Sequence, residues 1–282
     1  MKKVILVYVI TFIVCIFSQP VLADEHEKQE TPWEKFGLIV GGFVTSLDST
    51  IQLGAGGVGL DLDLEEALGL DSNDLVFRVE ALWRFTPNRR HRADFSWLGL
   101  RRDATRTLLQ DIEIDDTIFP AGTTVNSSFD IDIFKGAYSY SFFQDDRFDL
   151  GAGLGLFVMP TSFDINGSGG LLAESESITA PFPVLGLRGD FAITPKVFVR
   201  SSLDAFYLQV GQFTGTLLNT KLAVEYKPFT EHKHFKRLSL GLGLDAFRSR
   251  IEAIGEDYPG VDFRGTLKFS YTGLLFYGRI EF

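Results

Sequence analysis

The sequence predicts an all-β protein, an antiparallel up-and-down transmembrane β-barrel with ten strands. Three observations lead to this prediction. Apolar and polar residues alternate with a period of two along most of the chain, the spacing of side chains on the two faces of a strand. Short polar turns alternate with longer polar links. No apolar stretch of about 20 residues follows residue 23, so no membrane-spanning helix is available.

The chain begins with a segment typical of an export signal. Lys2 and Lys3 precede an apolar core from Val4 to Phe17, and a small-residue cleavage site ends at Ala23. An uncleaved anchor helix is the alternative, but this core is shorter than the ~20 apolar residues that span a bilayer. The predicted boundaries are a signal peptide at residues 1–23, a short periplasmic leader at residues 24–35 and the barrel at residues 36–282.

The composition excludes two kinds of chemistry. The single cysteine, Cys15, lies inside the signal, so the mature chain is expected to have neither a disulfide nor a thiolate. The formal charge is −10, and loss of Lys2 and Lys3 with the signal takes it to −12. A chain this acidic has no electrostatic means of holding nucleic acid. No motif indicates a cofactor, and none is expected.

The strands are predicted in chain order from the alternation. A first strand runs from about Phe36 to Gly56, and four hairpins follow, each with one apolar and one polar face. The hairpin turns are Thr86 to Arg90, Gln144 to Arg147, Thr194 to Lys196 and Lys227 to Phe235. A last strand runs from about Phe263 to Phe282. A break of the first strand near Asp48 would give twelve strands instead, and eight fits the pattern less well.

The links between hairpins are mostly longer than the turns. They are predicted at Gly57 to Asp74, Leu108 to Asn126, Asn166 to Ala180 and Ile251 to Asp262, with one shorter link at Val210 to Phe213. Short turns at one end and long loops at the other are the layout of outer-membrane barrels, with the turns on the periplasmic side. A soluble β-sandwich is the alternative, and this asymmetry counts against it.

The last strand carries a further pattern. Phe276, Gly278, Ile280 and Phe282 fall on one face of it, and the chain ends on the aromatic residue. This ending resembles the C-terminal signature of Gram-negative outer-membrane β-barrel proteins, which the barrel-assembly machinery binds. The resemblance implies a monomer in the cell outer membrane, in contact with membrane lipid and lipopolysaccharide. It identifies a broad class and no subfamily.

The charged faces of the predicted strands would point into the lumen. Buried charges need partners, and the acids and bases are nearly balanced. The predicted lumen residues are Arg78, Glu80, Arg84, Arg92, Asp94, Asp149, Arg188, Asp190, Arg200, Asp204, Lys221, Glu225, Asp245, Arg279 and Glu281. The favoured interpretation is an ion-pair network that fills a narrow lumen, and the alternative is a thin gated pathway for a small solute.

The expected function is a structural or small-solute permeation role, with an outer-leaflet lipid-modifying enzyme as the alternative. Enzymes of the class that this chain resembles place a catalytic histidine towards the outer rim. Here His26 falls in the leader, and His91, His232 and His234 fall at predicted periplasmic turns. A histidine base is therefore missing where it would be needed, and no enzyme is expected. His232 and His234 supply only two ligands, so no metal site is expected.

The predicted outer loops are acidic. Their carboxylates are candidates for divalent cations shared with lipopolysaccharide phosphates, and solvated charge is the simpler interpretation. These residues are Asp61, Asp63, Glu65, Glu66, Asp111, Glu113, Asp115, Asp116, Glu252, Glu256 and Asp257. One or two helical turns are predicted at Leu64 to Leu70, without recognisable caps.

Overall fold

A computed structural model describes residues 32–53, 62–114, 117–167, 172–211, 213–228, 238–253 and 265–281. The predicted signal peptide, residues 24–31 of the predicted leader, and Phe282 lie outside the described residues. Within these ranges, no helix is long and apolar enough to cross a lipid bilayer.

Ten antiparallel strands close into one barrel. They are β1 (Phe36–Leu53), β3 (Asn73–Arg84), β4 (His91–Thr107), β7 (Thr124–Gln144), β8 (Phe148–Gly167), β9 (Ala173–Thr194), β10 (Val197–Val210), β11 (Phe213–Tyr226), β12 (Leu238–Ala253) and β13 (Gly265–Glu281). The loops hold β2 (Leu62–Asp63), the helix α1 (Leu64–Leu68), β5 (Ile112–Ile114) and β6 (Thr117–Phe119). The predicted fold and the count of ten are therefore confirmed, and the alternatives of twelve and eight are wrong.

Closure comes from β13 and β1. They pair from Gly37 opposite Glu281 to Leu53 opposite Gly265, without a break at Asp48. The backbone groups of both strands are thereby used, as a sheet in hydrocarbon requires.

The two ends of the barrel differ in their connections. We call the end that holds Phe36 and Glu281 the turn end, and the opposite end the loop end. The described connections at the turn end are residues 85–90, 145–147 and 195–196. Most of the predicted turn Lys227 to Phe235 lies outside the described residues. One predicted loop is wrong: β8 continues to Gly167 and β9 begins at Ala173, so most of Asn166 to Ala180 is strand. Polar and apolar residues still alternate in this segment, but here the apolar residues face inward and the polar residues face outward.

The apolar face of several strands changes sides along the barrel axis. At the middle of β7, Phe134 is exposed on the outside and Lys135 lies inside. Nearer the loop end, Phe129 and Ile131 are buried inside, and Asp130 lies on the outward face. Such an exchange is expected where the surroundings of the barrel change from apolar to aqueous. The barrel thus has an outward apolar band and, closer to the loop end, an internal apolar core.

The pairing of β9 with β10 stops early. The last pair is Leu185 with Ala205, and no described strand pairs with this edge of β9 beyond it. Ala192 donates its N–H to the β8 side, so the odd-numbered residues of β9 direct their backbone groups towards β10. Pro183 and Pro181 occupy the next two such positions, and proline has no N–H to donate. The two prolines therefore end the ladder.

Candidate functional site: the charged lumen

Charged side chains fill the lumen towards the turn end. All fifteen predicted lumen residues lie on the inward face, and each has an oppositely charged partner within 4.0 Å. The predicted set holds seven bases and eight acids. The structure adds Lys135, Lys227 and Glu34, which gives nine of each sign in this network.

The three added residues differ in how readily they can be predicted from the sequence. Lys135 alternates with outward aromatic residues on β7, so the same pattern that identified its neighbours also indicates Lys135. Lys227 directly follows β11 and reaches the Glu281 carboxylate at 2.7 Å. Glu34 precedes β1, in the segment that the sequence assigns to the leader, and no strand pattern indicates it.

Asp190 on β9 connects three arginines from other strands. One of its carboxylate oxygens, Oδ2, lies 3.3 Å from Arg84 Nη2, 3.3 Å from Arg92 Nη1 and 3.2 Å from Arg200 Nη1. Asp149 on β8 accepts a hydrogen bond from Arg84 Nη2 at 2.9 Å and forms an ion pair with Arg188 Nη1 at the same distance. Charge-assisted hydrogen bonds of this kind fix the orientation of the guanidinium planes as well as balancing charge. The wall of the lumen is therefore cross-linked strand to strand.

Glu34 enters the turn end of the lumen from the segment before β1. Its carboxylate meets three guanidinium groups: Arg279 Nη1 at 2.6 Å, Arg84 Nη1 at 3.3 Å and Arg200 Nη2 at 3.2 Å. Burial by itself raises the pKa of Glu34, but the attraction of Arg200, Arg84 and Arg279 holds that pKa well below its usual range. The carboxylate is therefore charged at neutral pH.

Trp33 holds this segment against the turns. Its indole Nε1 donates to the backbone oxygen of Asp145 at 2.8 Å, and its ring packs edge-on against Phe198. Arg89 donates to the backbone oxygen of Trp33. Trp33 and Glu34 are both buried, so this part of the predicted leader is built into the barrel. We call residues Pro32–Lys35 the turn-end plug.

A cavity of about 80 Å³ lies inside the lumen. Arg78, Arg92, Lys135, Asp94 and Asp204 are among its lining residues. A space of this size with a charged lining holds several water molecules, which hydrogen-bond to the polar groups around them.

An apolar layer fills the lumen between this cavity and the loop end. Phe247 stacks on Tyr271 with ring centroids 5.4 Å apart, and Phe269 lies 6.1 Å from both rings. Phe157 adds a further ring at 6.1 Å from Phe247, and Phe129 packs on Phe269 at 6.5 Å. Of these five residues only Tyr271 carries a polar group, so the layer offers little to replace the hydration shell of a passing solute. We call these five residues the aromatic layer.

The helix α1 packs at the loop end against β1 and β4. Leu64 and Leu68 are fully buried. The helix was predicted without recognisable caps, but the structure has one at each end. Asp63 is the N-cap, since its Oδ1 accepts the Glu66 N–H at 2.8 Å. Gly69 is the C-cap in the left-handed conformation, with φ of 76°. The predicted absence of caps is therefore wrong.

Four acidic loop residues that the structure describes have protein partners: Asp63, Glu65, Asp111 and Glu252. Asp63 caps α1, and Glu65 pairs with Arg102 and accepts the Ser49 N–H. Across the described ranges, no group of three or more His, Cys, Asp or Glu side chains is placed to hold a metal ion. Asp61, Asp115, Asp116, Glu256 and Asp257 lie outside those ranges.

His91 lies at the turn end, at the start of β4. Its Nδ1 is 2.7 Å from the Tyr138 hydroxyl, and its ring packs on Tyr140. His26, His232 and His234 lie outside the described residues.

Of the predicted assembly signal, Phe276 and Ile280 are exposed on the outward face of β13, and Gly278 lies between them opposite Val40.

The fold is similar to those of solved outer-membrane proteins. No protein-family model matches the sequence, and no curated protein matches it. The outer-membrane protease OmpT from Escherichia coli superposes with a TM-score of 0.54 at 10% identity, over 92% of this chain and 100% of that one. Ail of Yersinia pestis superposes with a TM-score of 0.40 at 11% identity, over 87% of this chain and 99% of that one. The toluene transporter TodX of P. putida superposes with a TM-score of 0.36 at 7% identity, over 90% of this chain and 93% of that one. The chain therefore has the fold of the Gram-negative outer-membrane β-barrel proteins.

Proposed function

We propose that this chain is an integral protein of the Gram-negative outer membrane, exported by its signal, with the turn end in the periplasm. The outward apolar band supports a lipid environment, because contiguous apolar surface of this extent is rare on soluble monomers. Exposed rings near the turn end suit a membrane interface: Trp83, Phe85, Phe142, Phe148 and Tyr226. Its partners would be lipid, lipopolysaccharide and, during assembly, the machinery that binds the last strand.

In that membrane, we propose a structural role for a monomer with a sealed lumen. The supporting observation is the aromatic layer, which separates the charged half of the lumen from the loop end. The turn-end plug closes the other side. An ion would have to shed its hydration to pass between Phe247, Phe269 and Tyr271, at a cost of many kcal/mol.

Planar-bilayer recording tests the sealed lumen. The refolded protein should give no discrete current steps, under conditions in which a general-diffusion porin in the same membranes does. Regular steps from the wild-type protein would contradict a sealed structural barrel.

Small-solute permeation is the second candidate, and the charged cavity favours it. Conduction would require both closures to move, so it should depend on the plug. Current steps that appear in Trp33→Ala and are absent from the wild type would support a gated pathway.

A lipid-modifying or proteolytic role has less support. OmpT is a protease, but a likeness at 10% identity extends to the fold alone. His91, the histidine within the described ranges, lies at the turn end and contacts Tyr138, far from the loop end. Unchanged lipid A and phospholipid in mass spectra of expressing cells would agree with a non-enzymatic role, and altered species would contradict it.

A further inference from the structure

The turn end of the lumen holds a cluster of three arginines that belong to three different strands. Arg84 ends β3, Arg200 lies on β10, and Arg279 lies on β13, and all three side chains are at most 5% exposed. Guanidinium groups cannot lose their charge, so the cluster requires an anion. The anion that meets all three is Glu34.

Glu34 differs from the other acids of the network in its origin. The other eight project from barrel strands, whereas Glu34 is delivered by the turn-end plug, outside any strand. Without it, the network would have nine bases and eight acids. Eight of these bases lie on strands and the ninth, Lys227, follows β11. The described network without Glu34 therefore has one positive charge in excess, and its three arginines have the geometry to bind a carboxylate.

The occupant is held by both of its oxygens. Oε1 accepts from Arg279 and lies next to Arg84, while Oε2 accepts from Arg200. A planar carboxylate clamped between guanidinium groups is the arrangement that distinguishes carboxylates from spherical anions such as chloride.

We propose that Arg84, Arg200 and Arg279 form a binding site for a small carboxylate, and that Glu34 is its built-in occupant. The site takes a free carboxylate from the turn-end solution when the Glu34 side chain is absent. This proposal holds whether the barrel conducts or is sealed, so it stands or falls separately from the structural role.

Chemical rescue of Glu34→Ala tests the site. The substitution removes a CH₂–COO⁻ group, and acetate supplies the same atoms. Acetate should raise the unfolding temperature of Glu34→Ala in a saturable way, reaching a given shift at a concentration at least ~10-fold lower than chloride does. Acetamide, which has the same shape without the charge, should have no effect. Equal effects of acetate, acetamide and chloride would overturn the proposal.

Two variants control for general salt effects. Glu252→Ala removes the carboxylate of an exposed pair with Arg250, and acetate should not stabilise it. Glu34→Ala combined with Arg279→Ala keeps the space but loses a donor, so the response to acetate should weaken by ~10-fold or more. An undiminished response in this double variant would place acetate elsewhere and overturn the assignment.

Refolding yield covers the case in which Glu34→Ala does not fold in plain buffer. Acetate in the refolding mixture should then recover the heat-modifiable folded band on a gel, and acetamide should not. Failure of acetate to recover any folded protein would overturn the proposal as clearly as the absence of a thermal shift.

Discussion

Nη1 of Arg279 lies 2.6 Å from Oε1 of Glu34, although 245 positions separate the two residues in the chain. The contact ties the segment before the first strand to the strand that closes the barrel. Arg279 also places Nε 2.9 Å from Glu225, so a single guanidinium balances two buried carboxylates. The pair therefore links the sealing of the lumen to the closure of the sheet.

Removal of Arg279 should be strongly destabilising. Arg279→Ala leaves Glu34 and Glu225 short of a buried partner, which costs about 3–5 kcal/mol of the free energy of unfolding. Urea unfolding in lipid vesicles measures it. The control is Arg250→Ala, whose partner Glu252 is exposed enough for the change to stay below about 1 kcal/mol. Similar losses in both variants would contradict a special role for the buried cluster.

The stabilisation by Glu34 should depend on pH. Its pKa in the folded protein is below the unfolded value of about 4.3, so its contribution is complete above that value and is lost as the pH falls through the folded pKa. Unfolding free energies of the wild type and Glu34→Gln should therefore differ most at neutral pH and converge below about pH 4. A difference that stays constant down to pH 3 would contradict this titration.

The aromatic layer should carry much of the stability of the lumen. Phe247→Ala removes a fully buried ring that packs on Tyr271, and it should lower the free energy of unfolding by about 3–5 kcal/mol. Leu242→Ala lies on the same strand but points outward, and it should cost clearly less when both are measured in the same vesicles. A larger loss of unfolding free energy in Leu242→Ala than in Phe247→Ala would mean that the aromatic layer is loosely packed.

Two glycines provide a matched test of close packing between strands. A Cβ at Gly153 would overlap the backbone oxygen of Tyr138, whereas a Cβ at Gly278 meets nothing within 4 Å. Gly153→Ala should therefore reduce the folded fraction at a given urea concentration, because β7 and β8 would have to move apart. Gly278→Ala should leave it nearly unchanged. Equal effects would show that the strands adjust freely.

Replacing the prolines of β9 should extend its ladder. Pro181→Val with Pro183→Val restores two N–H groups that face β10, and each new hydrogen bond should add about 0.5–1.5 kcal/mol. Hydrogen exchange should be slow at both restored amides. Thr179→Val is the control, because position 179 already has an N–H and the change adds no donor. Rapid exchange at positions 181 and 183 would show that another feature ends the ladder.

The strands of the barrel could be predicted from the sequence more completely than the residues that fill or cap it. Alternation predicted the ten strands and the inward position of Arg84 and Asp190, because successive side chains of a strand point to opposite faces. It misplaced the start of β9, from Ala173 to Ala180, as loop. Ile178 is buried there on the inward face, while Ser177 and Thr179 are exposed on the outward face. Glu34 was missed because it lies before β1, where no alternation of polar and apolar residues indicates which way a side chain points. The caps of α1 were missed because Asp63 and Gly69 are single residues with no period.

The pairing of Glu34 with Arg279 also makes the last strand a part of two structures at once, the sheet and the ion-pair network. A chain that lacks only β13 has an open edge on both neighbouring strands, and inside it Glu34 and Glu225 share Arg200 without the second guanidinium of Arg279. Docking of that one strand removes both penalties in a single step. Forms without β13 thus lack both contributions, and the last strand completes the hydrogen-bonded sheet and the buried ion pairs together.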